Sequence, residues 1–220
     1  MSDAGFSIHM GVFTRSRMIE LAGGLDRVEL ARTKAGARHV MRVPEARALA
    51  NDDGMLSIAR EYLGPAAFPF RATLFDKSLQ ANWLVAWHQD TALPMRERSD
   101  AIGWGPWTVK SDVVHAIAPA SALEQIVALR VHLDDSTIKN GPLRVLPGTH
   151  ASGVLSLPQI ESAVARVASV DCIVDGGGVI AMRPLLLHAS SKATSALPRR
   201  VLHFEYASVR QFGPGLELAF

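Results

Sequence analysis

The chain has 220 residues, 48% hydrophobic and 20% charged, a composition typical of a folded globular protein rather than a disordered one. Its formal net charge is only +2 and its basic residues are scattered, which argues against nucleic-acid binding. The apolar runs are too short for a membrane span, and no signal-peptide pattern opens the chain. The single cysteine, Cys172, cannot form an internal disulfide, and we expect a cytoplasmic protein.

The first third of the sequence predicts one short opening strand at residues 5–13, followed by helices that cover the rest of the fold. A helix from residue 15 is expected to end at residue 22, before Gly23-Gly24, and residues 38–43 are expected to be extended. Two further helices are predicted over residues 44–50 and 54–63.

From residue 68 the pattern changes to short strands divided by Gly, Pro and Asp, which indicates an antiparallel sandwich or barrel. We predict a single domain, residues 1–220, with cover in residues 1–67 and a β core in residues 68–207. The predicted strands span residues 70–77, 83–88, 114–117, 126–133, 143–145, 168–174, 179–188 and 200–207.

One insertion, residues 91–113, is rich in Trp, Gly and Pro and has no clear periodicity. Long irregular loops inside a compact domain are usually functional or mobile. We therefore expect the Trp104-Gly105-Pro106-Trp107 segment to act as a lid over the site that precedes it.

The segment Trp87-His88-Gln89-Asp90 carries the strongest functional signal. In an extended strand, His88 and Asp90 lie on one face because successive side chains alternate. His188, at the end of the apolar run 179–187, is the best candidate for a third ligand. Two histidines and one carboxylate are the ligand set of non-haem Fe(II) oxygenases, although a zinc site with these ligands is chemically possible.

A candidate anion anchor follows the third ligand. Arg199 lies 11 positions after His188, near the start of the next strand, and its guanidinium could bind the carboxylate of a 2-oxoacid beside the metal. The neighbouring Arg200 could exchange roles with it.

Three motifs in order resemble the phytanoyl-CoA dioxygenase family of Fe(II)- and 2-oxoglutarate-dependent oxygenases, which includes ectoine hydroxylase. These motifs are WHQD, NGPLRVLPGTH, and His188 followed by Ser190 and Arg199. The resemblance implies that His88, Asp90 and His188 are the iron ligands. It also implies that Arg199 binds the C5 carboxylate of 2-oxoglutarate and that Ser190 helps to hold it.

The resemblance further implies a mainly β fold, a cupin-like double-stranded β-helix or jelly roll with helices packed on one sheet. Fe(II), 2-oxoglutarate and O2 would serve hydroxylation of an aliphatic carbon of a small organic substrate, with release of succinate and CO2. Relatives that halogenate lack the ligand carboxylate, so Asp90 argues against that reaction.

Two other functions stay open: a jelly roll that binds a small molecule without turnover, and a cupin-like metal isomerase. Arg199 and Ser190 favour the oxygenase, because a pure binding protein needs no anchor for a second carboxylate. The substrate is not identified, and the sequence shows no basic rim of the kind that an acyl-CoA would prefer. We expect a monomer or a homodimer.

The remaining polar residues have weaker or open roles. The face of the strand at residues 70–77 and the two tryptophans of the insertion match family cosubstrate contacts only loosely. His132 lines the pocket if its face points inward, and His115 could meet substrate. The other histidines are expected to brace turns or to be structural: His9, His39, His150 and His203.

Overall fold

A computed structural model describes residues 4–33, 36–78, 81–110 and 112–219 of the protein. Within these ranges the chain forms antiparallel sheets covered by helices. The helices are α1 (Arg15–Arg27), α2 (Pro44–Ala50), α3 (Asp53–Leu63), α4 (Ala120–Leu123) and α5 (Leu157–Arg166), with 3-10 turns at Val40–Arg42 and Thr149–Ser152. The strands are β1 (Phe6–His9), β2 (Arg32–Thr33), β3 (Gly36–Ala37), β4 (Phe68–Lys77), β5 (Val85–His88), β6 (Ala92–Met95), β7 (Trp107–Lys110), β8 (Val113–Ile117), β9 (Ile126–His132), β10 (Leu143–Val145), β11 (Val170–Cys172), β12 (Val179–Met182), β13 (His188–Ser190) and β14 (Arg199–Ala207).

The larger sheet carries the helices on one face, as predicted. Its strand order is β1-β12-β9-β14-β4-β3-β2. Alternate residues of β9 point to opposite sides, so Val127 and Leu129 pack with helical residues such as Met18 and Leu49, while Ala128 faces inward. The sequence alternation of β9 therefore builds two cores at once.

The second sheet, with the order β11-β10-β13-β5, faces the inner side of the larger sheet. Val145 and Cys172 from this sheet pack against Ile180 and Met182 of β12. Two facing antiparallel sheets joined in this way form the expected jelly roll, and the fold-class prediction is confirmed.

Helix α1 is longer than its sequence predicts. It continues through Gly23-Gly24 because Leu25 lies on the same buried face as Met18 and Leu21, and this burial outweighs about 1 kcal/mol per interior glycine. None of the helices in the described ranges combines the length and apolar character that a membrane span requires.

The predicted strand at residues 179–188 is in fact two strands in different sheets. β12 ends at Met182 in the larger sheet, and β13 begins at His188 in the smaller one. The intervening corner contains Pro184, whose carbonyl accepts the backbone N–H of Asp90 at 2.9 Å. The corner therefore moves the chain between sheets and also ties down the strand end that carries Asp90.

Two other local predictions are wrong. Residues 38–43 contain a 3-10 turn after His39, which has a left-handed backbone (φ 57°), instead of an extended piece. The insertion at residues 91–113 contains β6 and β7, which pair with β8 just after it in a three-stranded sheet. Within it, the Trp104 ring packs 5.4 Å from the Phe212 ring and Trp107 joins the same apolar cluster; that this segment acts as a lid stays a prediction.

The turn before β12 offers a test of this architecture. Gly177 has a left-handed backbone (φ 94°), and a Cβ there would overlap the carbonyl of Phe13. We expect Gly177→Ala to lower the free energy of unfolding by at least about 3 kcal/mol in chemical denaturation. Gly11→Ala, also at positive φ but with open space around it, should cost only about 1–2 kcal/mol. Equal losses would contradict the proposed overlap.

Candidate metal and cosubstrate site

Two histidines meet because β5 and β13 pair in an antiparallel register. His88 lies directly opposite His188, and their ring centroids are 4.2 Å apart. Asp90 follows two residues after His88, just beyond the end of β5. The His-x-Asp spacing brings His88 and Asp90 together, and the strand pairing adds His188, which lies 100 residues after His88 in the chain.

The three side chains form a compact donor set. One ligand atom from each of His88, Asp90 and His188 can be chosen so that all lie within 4.8 Å of one another. The Nε2 atoms of His88 and His188 lie 3.7 and 3.5 Å from the Asp90 carboxylate oxygens. Two imidazole nitrogens and a carboxylate oxygen at these spacings fit a divalent transition metal with open positions opposite.

The imidazole orientations favour metal binding through Nε2. His88 donates its Nδ1–H to the Ala86 carbonyl at 2.8 Å, and His188 donates its Nδ1–H to the Leu186 carbonyl at 2.9 Å. A backbone bond of this kind leaves the Nε2 lone pair free for a metal.

Gln89 anchors the loop that carries the carboxylate. Its amide donates to the carbonyls of Leu185 and Gly153 at 2.7 and 2.8 Å, and its oxygen accepts from the Leu155 N–H at 2.8 Å. On the other side, Thr149 accepts the Leu187 N–H at 3.0 Å. Gln89, which lies between His88 and Asp90 in sequence, thus connects both ligands to the corner before His188.

The ionisation of the ligands suits a cation. Burial raises the pKa of Asp90, but nearby basic groups, His188 first, outweigh it and lower the pKa to about 2. Burial lowers the pKa of His188 to about 4. At neutral pH the carboxylate is charged and the His188 ring is neutral, which are the forms that bind metal.

Arg199 and Ser190 meet in the interior. Arg199 is only 3% exposed; its Nη2 lies 3.4 Å from the Ser190 hydroxyl, and its Nη1 has no partner among the described residues. The Ser190 hydroxyl also accepts from the Lys77 ammonium at 2.8 Å and donates to the Gly141 carbonyl at 2.9 Å. Two buried cations therefore share one hydroxyl.

The Asn140-Gly141 turn shapes this pocket. The Arg199 Nε–H donates to the Asn140 carbonyl at 3.3 Å. Gly141 has a φ of 69°, and a Cβ there would overlap the Ser191 carbonyl and lie 3.1 Å from the Lys77 ammonium. The NGP motif therefore permits the close approach of backbone to the cation pair.

Arg200 points away from the pocket. It forms a two-pronged pair with Asp134, both contacts at 2.8 Å, and also contacts Asp26 at 3.1 Å. Asp134 is thus a structural ion-pair partner of Arg200. Alternation along β14 places Arg199 inside and Arg200 outside.

The inner face of β9 adds further unpaired polar groups. Arg130 donates Nη1–H to His203 Nδ1 at 3.0 Å, while its Nε has no partner in the described part of the chain. His132 points inward and is fully buried, and neither ring nitrogen has a described partner. Burial, with Arg130 and Arg199 nearby, lowers the pKa of His132 to about 3.

A cavity of about 900 Å³ opens beside Asp90. Its wall includes His115 from β8, together with His39 and His203, which the sequence suggested were only structural. The ion pair of Arg71 with Glu205 also lies on the wall. Trp104 and Trp107 are not part of the lining.

Several residues of the site had no sequence signal strong enough to select them. Lys77 lies on the face of β4 that matches family cosubstrate contacts only loosely in sequence, and only its position near Ser190 distinguishes it from the other residues of that face. Arg130 and His203 sit on different strands, 73 residues apart, and only the β9–β14 register brings them together. The alternation of side chains along a strand indicates which face of the sheet each residue occupies, but it does not indicate which residue of another strand lies beside it.

The model of the family described as "Phytanoyl-CoA dioxygenase (PhyH)" matches residues 22–201. The chain belongs to the phytanoyl-CoA dioxygenase family. It is thus a 2-oxoglutarate-dependent iron oxygenase, as the sequence resemblance implied, with Fe(II), 2-oxoglutarate and O2 as its cofactor and cosubstrates. No curated protein is similar enough in sequence to count as a match.

Solved structures share the fold at low sequence identity. AviO1 from Streptomyces viridochromogenes Tue57 has a TM-score of 0.67 at 19% identity, over 99% of this chain and 93% of that one. EctD from S. alaskensis with bound Fe has a TM-score of 0.69 at 19% identity, over 93% of this chain and 73% of EctD. HygX from Streptomyces hygroscopicus with nickel and 2-oxoglutarate bound has a TM-score of 0.67 at 16% identity, over 93% of this chain and 83% of HygX.

The residues of this PhyH protein fit the groups that its family uses. The His-Asp-His donor set suits iron, and the orphaned, buried Nη1 of Arg199 is a donor in need of an anionic acceptor such as a carboxylate.

Loss of one ligand should separate metal binding from folding. His88 is about 40% exposed at its side chain, so His88→Ala should change the free energy of unfolding of the metal-free protein by less than about 1 kcal/mol. Fe(II) or Mn(II) affinity, measured anaerobically by calorimetry, should fall by about a hundredfold or more. His9→Ala, outside the site, should bind metal normally. Unfolding of His88→Ala in the absence of metal would assign His88 to the core instead.

Proposed function

We propose that this protein hydroxylates an aliphatic carbon of a small organic substrate, with release of succinate and CO2. His88, Asp90 and His188 hold Fe(II), and Arg199 with Ser190 holds the C5 carboxylate of 2-oxoglutarate. The observation that carries the proposal is the combination of a three-ligand donor set with a buried, incompletely paired guanidinium in the adjoining interior.

Lys77 extends the proposed cosubstrate anchor. Lys77 is 1% exposed, and its ammonium donates to the Ser190 hydroxyl and the Ser191 carbonyl and has no carboxylate partner in the described ranges. Burial, then Arg199 and Arg130, lower its pKa to about 8. A carboxylate bound between Lys77 and Arg199 would relieve the repulsion between them and satisfy the free Nη1 of Arg199.

When bound together, Fe(II), 2-oxoglutarate and O2 supply the oxidant for C–H hydroxylation. The chain's own residues hold the geometry. Gln89 and the Pro184 carbonyl position the Asp90 carboxylate, and the backbone bonds of His88 and His188 orient their rings. Asp90 would supply the ligand carboxylate that halogenating relatives lack, which favours hydroxylation over halogenation.

The alternative functions explain fewer features. A binding protein without turnover, or a metal isomerase, needs no 2-oxoglutarate. Neither would therefore require the two buried cations, Lys77 and Arg199, to bind a second carboxylate in addition to the metal site. A panel of small organic substrates scored for O2-dependent succinate release tests the reaction itself, since an isomerase would work without O2.

The adjacent arginines of β14 provide a matched test of cosubstrate binding. Under anaerobic conditions, Fe(II) and 2-oxoglutarate should give the weak visible charge-transfer band of a bidentate complex. Arg199→Ala should abolish the band at moderate 2-oxoglutarate, because a charge-assisted contact to a buried carboxylate is lost. Arg200→Ala should retain it, since Arg200 is paired with Asp134.

The result would go against the proposal if both variants kept the band, or if Arg200→Ala alone lost it. Thermal unfolding of both variants without ligand controls for misfolding. Arg199→Lys should recover only part of the affinity, because an ammonium cannot make the paired contacts of a guanidinium.

The depressed pKa of Lys77 predicts a pH dependence of 2-oxoglutarate binding. A bound carboxylate favours the charged ammonium, so binding should take up a proton once the free Lys77 begins to lose its own, at a pH of about 8. Affinity should be flat near pH 7 and should fall above pH 8, approaching about tenfold per pH unit. In Lys77→Met the fall between pH 7.5 and 8.5 should disappear; calorimetry in two buffers of different ionisation enthalpy measures the proton uptake. A flat wild-type profile to pH 9 would count against the ammonium contact.

A further inference from the structure

Four cationic side chains surround the mouth of the 900 Å³ cavity. Arg38, Arg42 and Arg47 come from the segment between β3 and the end of α2, and Lys110 comes from the end of β7 on the insertion. All four are exposed, and none has an ion-pair partner in the described ranges. This set is called the cationic rim below.

Acidic groups do not neutralise the cationic rim. The acidic residues of the cavity lining are Asp90, a metal ligand in the proposed function, and Glu205, which pairs with Arg71. Asp112 is near enough to raise the pKa of His39, but it is the weakest influence on that group. The chain as a whole has a formal charge of +2, so four uncompensated cations at one opening are a local excess.

The positive field extends into the cavity. After burial, Arg42, Arg38 and Arg71 lower the pKa of His39. Burial also lowers the pKa of His115, which lines the same cavity; the hydrogen bond to the Val113 carbonyl opposes this shift, and Arg71, Lys110 and Arg38 add to it. Arg38 thus influences two histidines of the lining that come from different parts of the chain, which indicates that the rim charges act on one volume.

The rim is built on regular structure. β3 pairs with β4 at Leu74 and Phe75, and a side chain on Gly36 would overlap the Leu74 carbonyl, so the chain before Arg38 is held closely against the sheet. The wall below is largely apolar and includes Phe70, Phe75 and Ile117. The cavity lining therefore combines exposed cations, apolar side chains and Asp90.

We propose that the substrate carries a doubly charged anionic head, a phosphate ester, which the cationic rim binds while an apolar body reaches the metal. A phosphate monoester has a charge of about −2 at neutral pH and oxygens that match guanidinium forks. The inference rests on the proposed function, since it assigns the remote end of that enzyme's substrate. The sequence expectation of no basic rim is corrected, because the rim assembles residues up to 72 positions apart, from 38 to 110.

The test uses the full chain loaded anaerobically with Fe(II) and saturating 2-oxoglutarate, so that the inner anion pocket is filled. Hexyl phosphate is titrated by calorimetry and compared with hexanoate, hexanol and hexyltrimethylammonium. The phosphate is expected to bind tightest, and its affinity should fall with added salt, because exposed charge contacts are screened. Equal binding of hexanol, or hexanoate as tight as the phosphate, would overturn the proposal.

Matched triple variants locate the binding. Arg38→Gln with Arg42→Gln and Arg47→Gln should weaken hexyl phosphate by about tenfold or more at low ionic strength. The control replaces exposed arginines that do not line the cavity by Gln: Arg27, Arg60 and Arg98. Equal weakening in both triple variants would mean non-specific attraction and would overturn the proposal; chelation of iron by the phosphate would affect both variants equally.

The two proposals fail in different ways. The charge-transfer band reports the iron and cosubstrate, and it should persist in the rim variant. If wild-type protein gives no band, the proposed function fails whatever the phosphate does. If the band forms but the rim variant binds hexyl phosphate as well as the wild type, the proposed function stands and the cationic rim does not bind the substrate head.

Discussion

The antiparallel register between β5 and β13 is the constraint on which the site depends. Side chains alternate along a strand, so a slip of one residue would turn either His88 or His188 to the opposite face and separate the pair. The register is secured from both sides: β10 pairs with β13 at Val145, and Gln89 bonds to the corner that precedes β13. The ligand pair is therefore held by backbone ladders and an amide side chain, and it does not need a metal to bring its halves together.

The interior behind the ligands is organised by charge rather than by packing. Lys77, Arg130 and Arg199 are buried with no carboxylate bonded to them in the described ranges, an arrangement that costs free energy because desolvated like charges repel. Hydrogen bonds to backbone carbonyls and to the Ser190 hydroxyl offset part of this cost. The same surroundings lower the pKa of Lys77 to about 8, so its ammonium loses its proton more easily than an exposed lysine does. Such a pocket is stabilised further by any dianion that enters it, so ligand binding and fold stability are linked.

Sequence reasoning was most reliable where a pattern has one geometric meaning. The i, i+2 spacing of His88 and Asp90 predicted a shared face, and eight short strands predicted an antiparallel β fold. Sequence-based prediction failed where tertiary contacts determine the local structure. The burial of Leu25 extends α1 through two glycines. The apolar run from residue 179 has the pattern of one strand, but the chain changes sheets at the corner that contains Pro184. Arg199 and Arg200 could not be separated by spacing alone, and strand alternation with the Asp134 partner separates them in space.

The protein has two positive regions, and their different exposure gives them different physical roles. The inner cations are desolvated, so each contact with an anion is strong and nearly independent of salt, which suits a cosubstrate that must be retained through turnover. The rim cations are exposed to solvent, where an ion pair contributes less than about 1 kcal/mol and salt screens it within about 10 Å. Such charges act best in concert, raising the local concentration of an anion and orienting it as it enters. Because the rim cations and Asp90 line the same cavity, an anion held at the rim leaves the metal side of the cavity to the uncharged part of the same molecule.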